Sequence, residues 1–142
     1  MNRFLDESAL SLNPKLSVHI VGIGGAGMRA IALVLSSMGH SVTGSDLKSS
    51  SGLDRLTASG IKVAIGHDVS NVGQVDFVTR STAVSDSNVE IDKARKQGIP
   101  IVSRAEILSA ITRIKPTISV AGTHGKTTTS SMLAVLLAEA NL

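Results

Sequence analysis

Four glycines fall within six residues near the start of the chain, in the run Gly22-Ile23-Gly24-Gly25-Ala26-Gly27. An apolar run, residues 18–21, precedes this loop, and apolar residues at helical spacing follow it as far as Gly39. A G-x-G-x-x-G loop between a strand and a helix lets backbone N–H groups approach a pyrophosphate at the helix N-terminus. The loop therefore predicts an open α/β fold with an anion site; the alternative is that its glycines only allow close packing of helix on sheet.

The same order of strand and helix continues along the chain. Strands are predicted at residues 18–21, 41–44, 61–65, 75–79 and 99–102, and helices at 28–38, 53–59, 88–97 and 105–112. Apolar strands joined by helices indicate a parallel sheet that is covered on both faces. We expect a Rossmann-like, doubly wound parallel sheet.

The amino-acid composition argues against several classes of function. The 142 residues are 42% hydrophobic and 18% charged, which is enough apolar chain for one core. An aromatic content of 1% and a spread net charge of +3 argue against nucleic-acid binding. The lack of cysteine excludes disulfides and thiol catalysis. Neither a signal peptide nor a membrane-length apolar stretch is recognisable, so we expect a cytoplasmic protein without membrane insertion.

The pattern breaks at residues 113–116, where two cations and Pro116 suggest a linker. We therefore divide the chain into an N-terminal extension (1–16), a Rossmann-like domain (17–115) and the start of a second domain (116–142). The last part is predicted as a strand at 117–121, a turn at 122–127 and a helix at 128–140. We expect this part to be the first β-loop-α unit of a second domain, which the following loop assigns to the P-loop-type ATPase class.

The second loop, Gly122-Thr123-His124-Gly125-Lys126-Thr127, is shorter than a P-loop, because Val120 stands where the first glycine should fall. Its chemical groups are nevertheless those of a phosphate site. Gly125 leaves room for a phosphate, Lys126 can neutralise β- and γ-phosphate charge, and the Thr127 hydroxyl can bind Mg²⁺. The alternatives are a helix cap with a stray lysine and, for His124, a passive loop residue rather than a phosphate or carboxylate contact.

Three further polar residues follow predicted strands, at the edge where open α/β sheets bind ligands. Asp46 stands at about the usual distance from the first loop for a carboxylate that binds a ribose hydroxyl. The alternative for Asp46 is a solvated loop residue or a helix cap. His67 and Ser81 are candidates for ligand contact, or else residues that cap local backbone.

Together these motifs resemble the Mur ligases of peptidoglycan synthesis, over about residues 17–142. The second loop, continued through Thr128 and Thr129, carries most of the resemblance. Further motifs are similar to the branch that joins L-alanine to UDP-N-acetylmuramate, namely the first loop running into Met28, Gly44-Ser45-Asp46, Gly66-His67-Asp68 and Arg104-Ala105-Glu106. The sequence departs from the family pattern at Arg29, Thr82 and Val89.

The resemblance implies a three-domain enzyme that binds UDP-N-acetylmuramate, ATP with Mg²⁺, and L-alanine. ATP phosphorylates the sugar's carboxylate, and the amine of L-alanine attacks the acyl phosphate. By position, the UDP-sugar residues are Gly22, Gly24, Gly25, Ala26, Gly27, Ser45, Asp46, His67 and Ser81. The ATP residues are Gly122, Thr123, His124, Gly125, Lys126, Thr127 and Thr128, with Lys126 and Thr127 as catalytic residues and Thr127 on Mg²⁺. Since the second domain is incomplete, we expect the chain alone to bind nucleotide without turnover.

Two other hypotheses stay open on the sequence. The first loop and Asp46 also fit an NAD-binding Rossmann module of a dehydrogenase or redox-sensing regulator, although that hypothesis leaves the second loop unexplained. The other is a nucleotide-binding domain without catalysis.

Overall fold

A five-stranded parallel sheet forms the centre of the computed structural model, which describes residues 5, 6, 9–114 and 116–141. Two short strands, β1 (Leu5–Asp6) and β2 (Ala9–Leu10), pair antiparallel ahead of it. The sheet strands are β3 (Ser17–Val21), β4 (Ser41–Asp46), β5 (Lys62–Ile65), β6 (Phe77–Arg80) and β7 (Ile101–Val102). Their order in space is β5-β4-β3-β6-β7, so the first strand of the sheet in sequence lies at its centre.

Helices cover both faces of this sheet. The helices on the sheet are α1 (Ala26–Ser37), α2 (Ser51–Ala58), α3 (Val89–Lys96) and α4 (Arg104–Ile114), with a 3-10 turn at Val69–Asn71. A further helix, α5 (Lys126–Glu139), follows them in the chain and has no buried residue. Helices α1, α2 and α4 share one hydrophobic cluster, whereas α3 contributes to a second one. The predicted Rossmann-like, doubly wound architecture is confirmed.

The alternation of side chains along β3 assigns the two faces. Val18 and Ile20 point into the larger core with α1, α2 and α4, and Val21 points the other way into the core with Ile91 of α3. His19 therefore shares the α3 face of the sheet with Val21. The buried hydrophobic residues are almost all aliphatic; Phe77 is the one ring among them in the described part of the chain.

Glycines end the first three helices, as their positions in the sequence predict. Gly39, Gly60 and Gly98 have φ of +87°, +82° and +67°, the left-handed conformation that glycine adopts most readily. The next residue in each case donates its N–H back to a carbonyl of the last turn: His40 to Leu35, Ile61 to Leu56 and Ile99 to Ala94. This pairing turns the chain sharply into the strand that follows.

The predicted strand at 117–121 is wrong. These residues belong to no strand ladder of the described chain, since β5 and β7 form the two edges of the sheet and neither runs beside them. Strands β6 and β7 each begin two residues later than predicted, and Pro100 has no N–H to offer to a ladder. Helix α5 begins at Lys126, so Lys126 and Thr127 lie in its first turn rather than in the loop.

Some predicted segments lie outside the described residues: Lys115 of the linker, Leu142, and residues 1–4, 7 and 8 of the N-terminal extension. Within the described ranges, no helix combines the length and apolar character needed to cross a membrane.

Candidate nucleotide site

The first glycine loop joins β3 to α1 and is held by the end of β4. The N–H groups of Gly22 and Ile23 both donate to the carbonyl oxygen of Ser45, at 2.8 and 3.0 Å. The N–H of Gly24 donates to Oδ2 of Asp46 at 2.8 Å. Asp46, predicted as a ribose ligand, therefore also fixes the shape of the loop.

Gly24 lies too close to Asp46 for any side chain. A Cβ atom at position 24 would be 2.7 Å from Oδ2 of Asp46, well inside van der Waals contact. The same carboxylate oxygen accepts the hydrogen bond from the Gly24 N–H, so a side chain there would separate donor from acceptor.

Unpaired N–H groups and a positive charge meet where α1 begins. Gly25 precedes the helix and provides no side-chain cap, and the N–H groups of Ala26 and Gly27 have no acceptor among the described residues. The guanidinium of Arg104 lies against Gly27, about 2.7 Å from where a Cβ atom of that residue would be. These groups together favour an anion at this helix end.

The other predicted residues of the first site surround the loop. Ser81 follows β6 and donates its N–H to the Val21 carbonyl; its Oγ would be 3.8 Å from a Cβ atom on Gly25. Ser45 is fully buried in β4, and His67 follows β5 with its side chain 11% exposed. The structure thus brings together, at the carboxyl edge of the sheet, Gly22, Gly24, Gly25, Ala26, Gly27, Ser45, Asp46, His67 and Ser81.

Beneath this edge lies a buried carboxylate, Glu90, which enters from the first turn of α3 with no exposed surface. Its Oε2 accepts a hydrogen bond of 2.5 Å from Oγ of Ser45. Its Oε1 accepts from Nδ2 of Asn71 at 2.6 Å and from the N–H of Asp68 at 3.2 Å. Three elements, β4, α3 and the turn after β5, therefore meet at one carboxylate.

Two histidines complete this buried cluster. Nδ1 of His67 lies 3.0 Å from Oγ of Ser45 and 3.5 Å from Oε2 of Glu90. Nε2 of His19 also lies 3.5 Å from Oε2 of Glu90, while its Nδ1 is 2.9 Å from Oγ1 of Thr43. A carboxylate beside Nε2 favours the His19 tautomer that carries a proton on that nitrogen.

The cluster keeps Glu90 ionised. Burial by itself would raise the pKa of this carboxyl, but the contacts with His19, Ser45, Asn71 and the Asp68 N–H lower the pKa to about 2. The N-terminus of α3 adds a favourable field, since Glu90 is the second residue of that helix. Glu90 is therefore a carboxylate at neutral pH.

Glu90 was not among the residues predicted from the sequence. A signal was present, because Glu90 lies beside Ile91 and one helical turn before Ala94, the two buried apolar residues of α3. A charged residue on the buried face of an amphipathic helix requires hydrogen-bonding or ionic partners in the protein interior. The partners come from β3, β4 and the turn after β5, and their convergence depends on the sheet topology.

The second glycine loop is exposed and precedes α5. Gly125 has φ +77°, and Nζ of Lys126 folds back onto the carbonyl oxygens of Gly122 and Thr123. The N–H groups of Lys126, Thr127 and Thr128 find no acceptor in the described ranges of the chain. This arrangement fits a phosphate group, which would satisfy those donors and replace the carbonyl oxygens as the partner of Lys126.

The second loop and the first are built separately. The hydrogen bonds described for Gly122, Thr123, Gly125, Lys126 and Thr127 join them to one another or to the next turn of α5. His124 and Thr128 are exposed beside them. Among the residues that the structure describes, no group of three His, Cys, Asp or Glu side chains is arranged to hold a metal.

A known protein family matches most of the chain. The Mur ligase family, catalytic domain, matches residues 17–115. This range begins with β3 and includes the first glycine loop, Asp46, His67 and Glu90.

Individual proteins that are similar to this chain over most of its length are also ligases. The UDP-N-acetylmuramate–L-alanine ligase of Solidesulfovibrio magneticus is 48% identical over 128 residues, which are 90% of this chain and 28% of the relative. The enzyme of that name from Azoarcus sp. is 53% identical over 122 residues, 86% of this chain and 26% of the relative. The chain therefore spans about a quarter of the length of these relatives.

Solved structures share the fold. The UDP-N-acetylmuramate–alanine ligase of Thermotoga maritima superposes with a TM-score of 0.83 at 37% identity, covering 89% of this chain and 30% of that one. A murein peptide ligase from Psychrobacter arcticus superposes with a TM-score of 0.82 at 32% identity, covering 89% of this chain and 27% of that one.

Proposed function

The chain belongs to the Mur ligase family, and from that premise we propose that it binds the UDP-sugar substrate of a UDP-N-acetylmuramate–L-alanine ligase. The observation that carries the proposal is the assembly of the first glycine loop, Asp46 and His67 at one edge of the sheet. The names of the relatives supply the substrate, because two of them at 48% and 53% identity are ligases of this specificity.

In this proposal the first loop holds the diphosphate. The unpaired N–H groups of Ala26 and Gly27 donate to phosphate oxygens, and Arg104 adds a positive charge beside them. Asp46 keeps the loop in shape through Gly24 and offers its remaining carboxylate lone pairs to a ribose hydroxyl. Ser81 closes the loop from the β6 side.

Ser45 takes an indirect part in the same proposal. Its side chain has no exposed surface and its hydroxyl contacts Glu90 and His67. Its carbonyl oxygen, however, accepts both N–H groups that begin the loop. Ser45 thus supports the loop and orients His67, and the ligand contact is made by those neighbours.

We assign the second loop to ATP. ATP, when bound with Mg²⁺, supplies the phosphoryl group that activates the sugar's carboxylate toward the amine of L-alanine. Lys126 stabilises phosphate charge, Thr127 offers a hydroxyl to Mg²⁺, and Gly122, Thr123, His124, Gly125 and Thr128 complete the loop. The proposal includes a boundary between the two nucleotide units at 115–116 and a cytoplasmic location, where the sequence predicts the protein.

Isothermal titration of the 142-residue chain tests this function. We expect saturable binding of UDP-N-acetylmuramate with one site per chain and no comparable binding of NAD. Saturable binding of NAD without binding of the UDP-sugar would establish the dehydrogenase-type module instead. Duplex DNA serves as a polyanion control and is expected not to bind.

A further inference from the structure

The buried cluster under the first loop fixes the direction of its hydrogen bonds. Glu90 is ionised and can only accept, and Oγ of Ser45 lies 2.5 Å from its Oε2. A hydroxyl has a single proton, so Ser45 gives that proton to Glu90. The other carboxylate oxygen is already turned toward Asn71 and the Asp68 N–H, which holds the carboxylate plane in place.

The direction of the hydrogen bond from Ser45 also determines which ring nitrogen of His67 carries a proton. Oγ of Ser45 has only lone pairs left for Nδ1 of His67, 3.0 Å away. A hydrogen bond between them therefore requires the proton to be on Nδ1. In a neutral imidazole the second nitrogen, Nε2, then carries a lone pair and acts as an acceptor.

Nε2 of His67 is left without a protein partner in the described part of the chain. The buried side-chain atoms that lack a hydrogen bond within the described chain are Nε2 of His19, which has only the 3.5 Å contact with Glu90, and Oγ1 of Thr79. Nε2 of His67 is not one of these buried atoms. The ring follows β5 at the edge that carries the first loop, and its side chain is 11% exposed. Nε2 of His67 is therefore reachable from solvent at the edge of the sheet that carries the first loop.

We propose that Glu90 is a positioning residue which, through Ser45, holds His67 as the Nδ1–H tautomer and makes Nε2 an acceptor for a donor group of the nucleotide. The donor is a ribose hydroxyl or the imide N–H of a uracil. A phosphate is not the partner, because phosphate oxygens at neutral pH accept hydrogen bonds and do not donate them. The tautomer follows from the cluster alone, whereas the identity of the ligand rests on the proposed UDP-sugar site.

The tautomer is tested without ligand, on the full chain labelled with ¹⁵N-histidine. Nitrogen–proton correlation spectra at neutral pH separate protonated from unprotonated ring nitrogens, and the His67→Gln variant identifies the His67 signals. We expect a protonated Nδ1 and an unprotonated Nε2. A proton on Nε2 of neutral His67 would overturn the proposal, whatever the outcome for nucleotide binding.

Glu90→Gln tests the positioning role. An amide can donate to Oγ of Ser45, which frees the hydroxyl proton for Nδ1 of His67, so we expect the Nδ1–H preference to be lost and UDP to bind about five- to tenfold more weakly. Asp92→Asn, a half-exposed change on the same helix, is the matched control and should keep both properties. A folded Glu90→Gln protein with unchanged tautomer and UDP affinity would refute the role. If that variant does not fold, the measurement of the His67 tautomer in the wild-type chain still tests the proposal.

Nucleotide analogues test the ligand contact. UDP should shift the Nε2 resonance of His67 and leave the proton on Nδ1; a proton on Nε2 in the complex would contradict the proposal. Among 2′-deoxy-UDP, 3′-deoxy-UDP and N3-methyl-UDP, we expect one to bind about tenfold more weakly than UDP, which identifies the donor. Equal affinities for all would exclude the contact. If UDP itself does not bind, the proposed function fails, and the tautomer result stands apart.

Discussion

At the scale of single residues, the sequence predicts the first loop, Ser45, Asp46 and His67, but it does not predict the buried carboxylate Glu90 that contacts Ser45 and His67. Asp46 could be identified because a glycine loop and a carboxylate at the end of the next strand have a characteristic separation along the chain. The 2.8 Å bond from the Gly24 N–H to Asp46 joins those two motifs directly. Glu90 lies far from both motifs in sequence, and only the packing of α3 on the sheet brings it to Ser45.

Glu90 should make stability depend on pH. Its pKa in the folded protein is about 2, against 4.5 for the unperturbed side chain, so the unfolded state binds its proton first as pH falls. The stabilisation, about 3 kcal/mol, is therefore fully present above pH 4.5 and is lost as pH falls toward 2. Urea unfolding of wild type and Glu90→Gln should differ most at pH 7 and progressively less below pH 4.5.

The control for that experiment is Asp92→Asn, whose side chain is half exposed. We expect it to follow the wild-type curve at every pH. A stability difference for Glu90→Gln that is the same at pH 7 and pH 3 would show that the carboxylate's charge does not stabilise the fold.

Gly24→Ala should damage the site locally. The new Cβ would lie 2.7 Å from Oδ2 of Asp46 and force the loop and the carboxylate apart. We expect a loss of about 1–3 kcal/mol in the free energy of unfolding and at least tenfold weaker binding of UDP-N-acetylmuramate, measured by urea denaturation and calorimetry. Gly73→Ala is the control, because a Cβ there meets nothing within 4 Å. If both variants bind equally well, the Gly24–Asp46 contact does not matter for the ligand.

At the scale of elements, most of what the sequence predicts correctly depends on the glycines that end helices. Gly39, Gly60 and Gly98 end α1, α2 and α3 because each adopts a left-handed conformation, and local chemistry of this kind is readable from a single sequence. The strand predicted at 117–121 fails for the opposite reason. A strand requires a neighbouring strand to pair with, which is a property of the whole fold. Residues 117–121 alternate polar and apolar side chains as a strand would, but they pair with no strand of the described chain.

Helix caps give a matched pair of variants at this scale. Oδ1 of Asn88 accepts the N–H of Glu90 at 2.9 Å and so caps α3, whereas Ser50 precedes α2 without a side-chain hydrogen bond. Asn88→Ala should lower the free energy of unfolding by about 1 kcal/mol, and Ser50→Ala by a few tenths. Equal losses in urea denaturation would mean that the Asn88 hydrogen bond contributes nothing to stability.

At the scale of the whole molecule, the two glycine loops lie in different surroundings. The first is set in a sheet covered on both faces, whereas α5 after the second loop exposes large apolar side chains. Met132, Val135 and Leu136 are 61–65% exposed, and a groove of about 650 Å³ runs between α5 and residues 116–120. Exposed apolar side chains of this kind favour association with another surface.

This surface should make the 142-residue chain self-associate. We expect Leu136→Lys to lower light scattering at a given protein concentration, because it places a charge in the middle of the exposed apolar helix face. Leu47→Lys is the matched control: Leu47 is 67% exposed but stands between Asp46 and Lys48. Deletion of residues 117–142 should act like Leu136→Lys, and scattering that is unchanged in both would contradict the idea.

The central claim is that the first glycine loop, Asp46 and His67 form one UDP-sugar site at the carboxyl edge of the sheet. Titration of the ¹⁵N-labelled chain with UDP-N-acetylmuramate, followed by amide and imidazole resonances, tests it directly. We predict that signals of Gly24, Ala26, Gly27, Asp46 and His67 move together and saturate, whereas those of Gly73 and Gln74 at the opposite edge stay in place. Saturable shifts confined to the opposite edge, or to the second loop, would contradict the account.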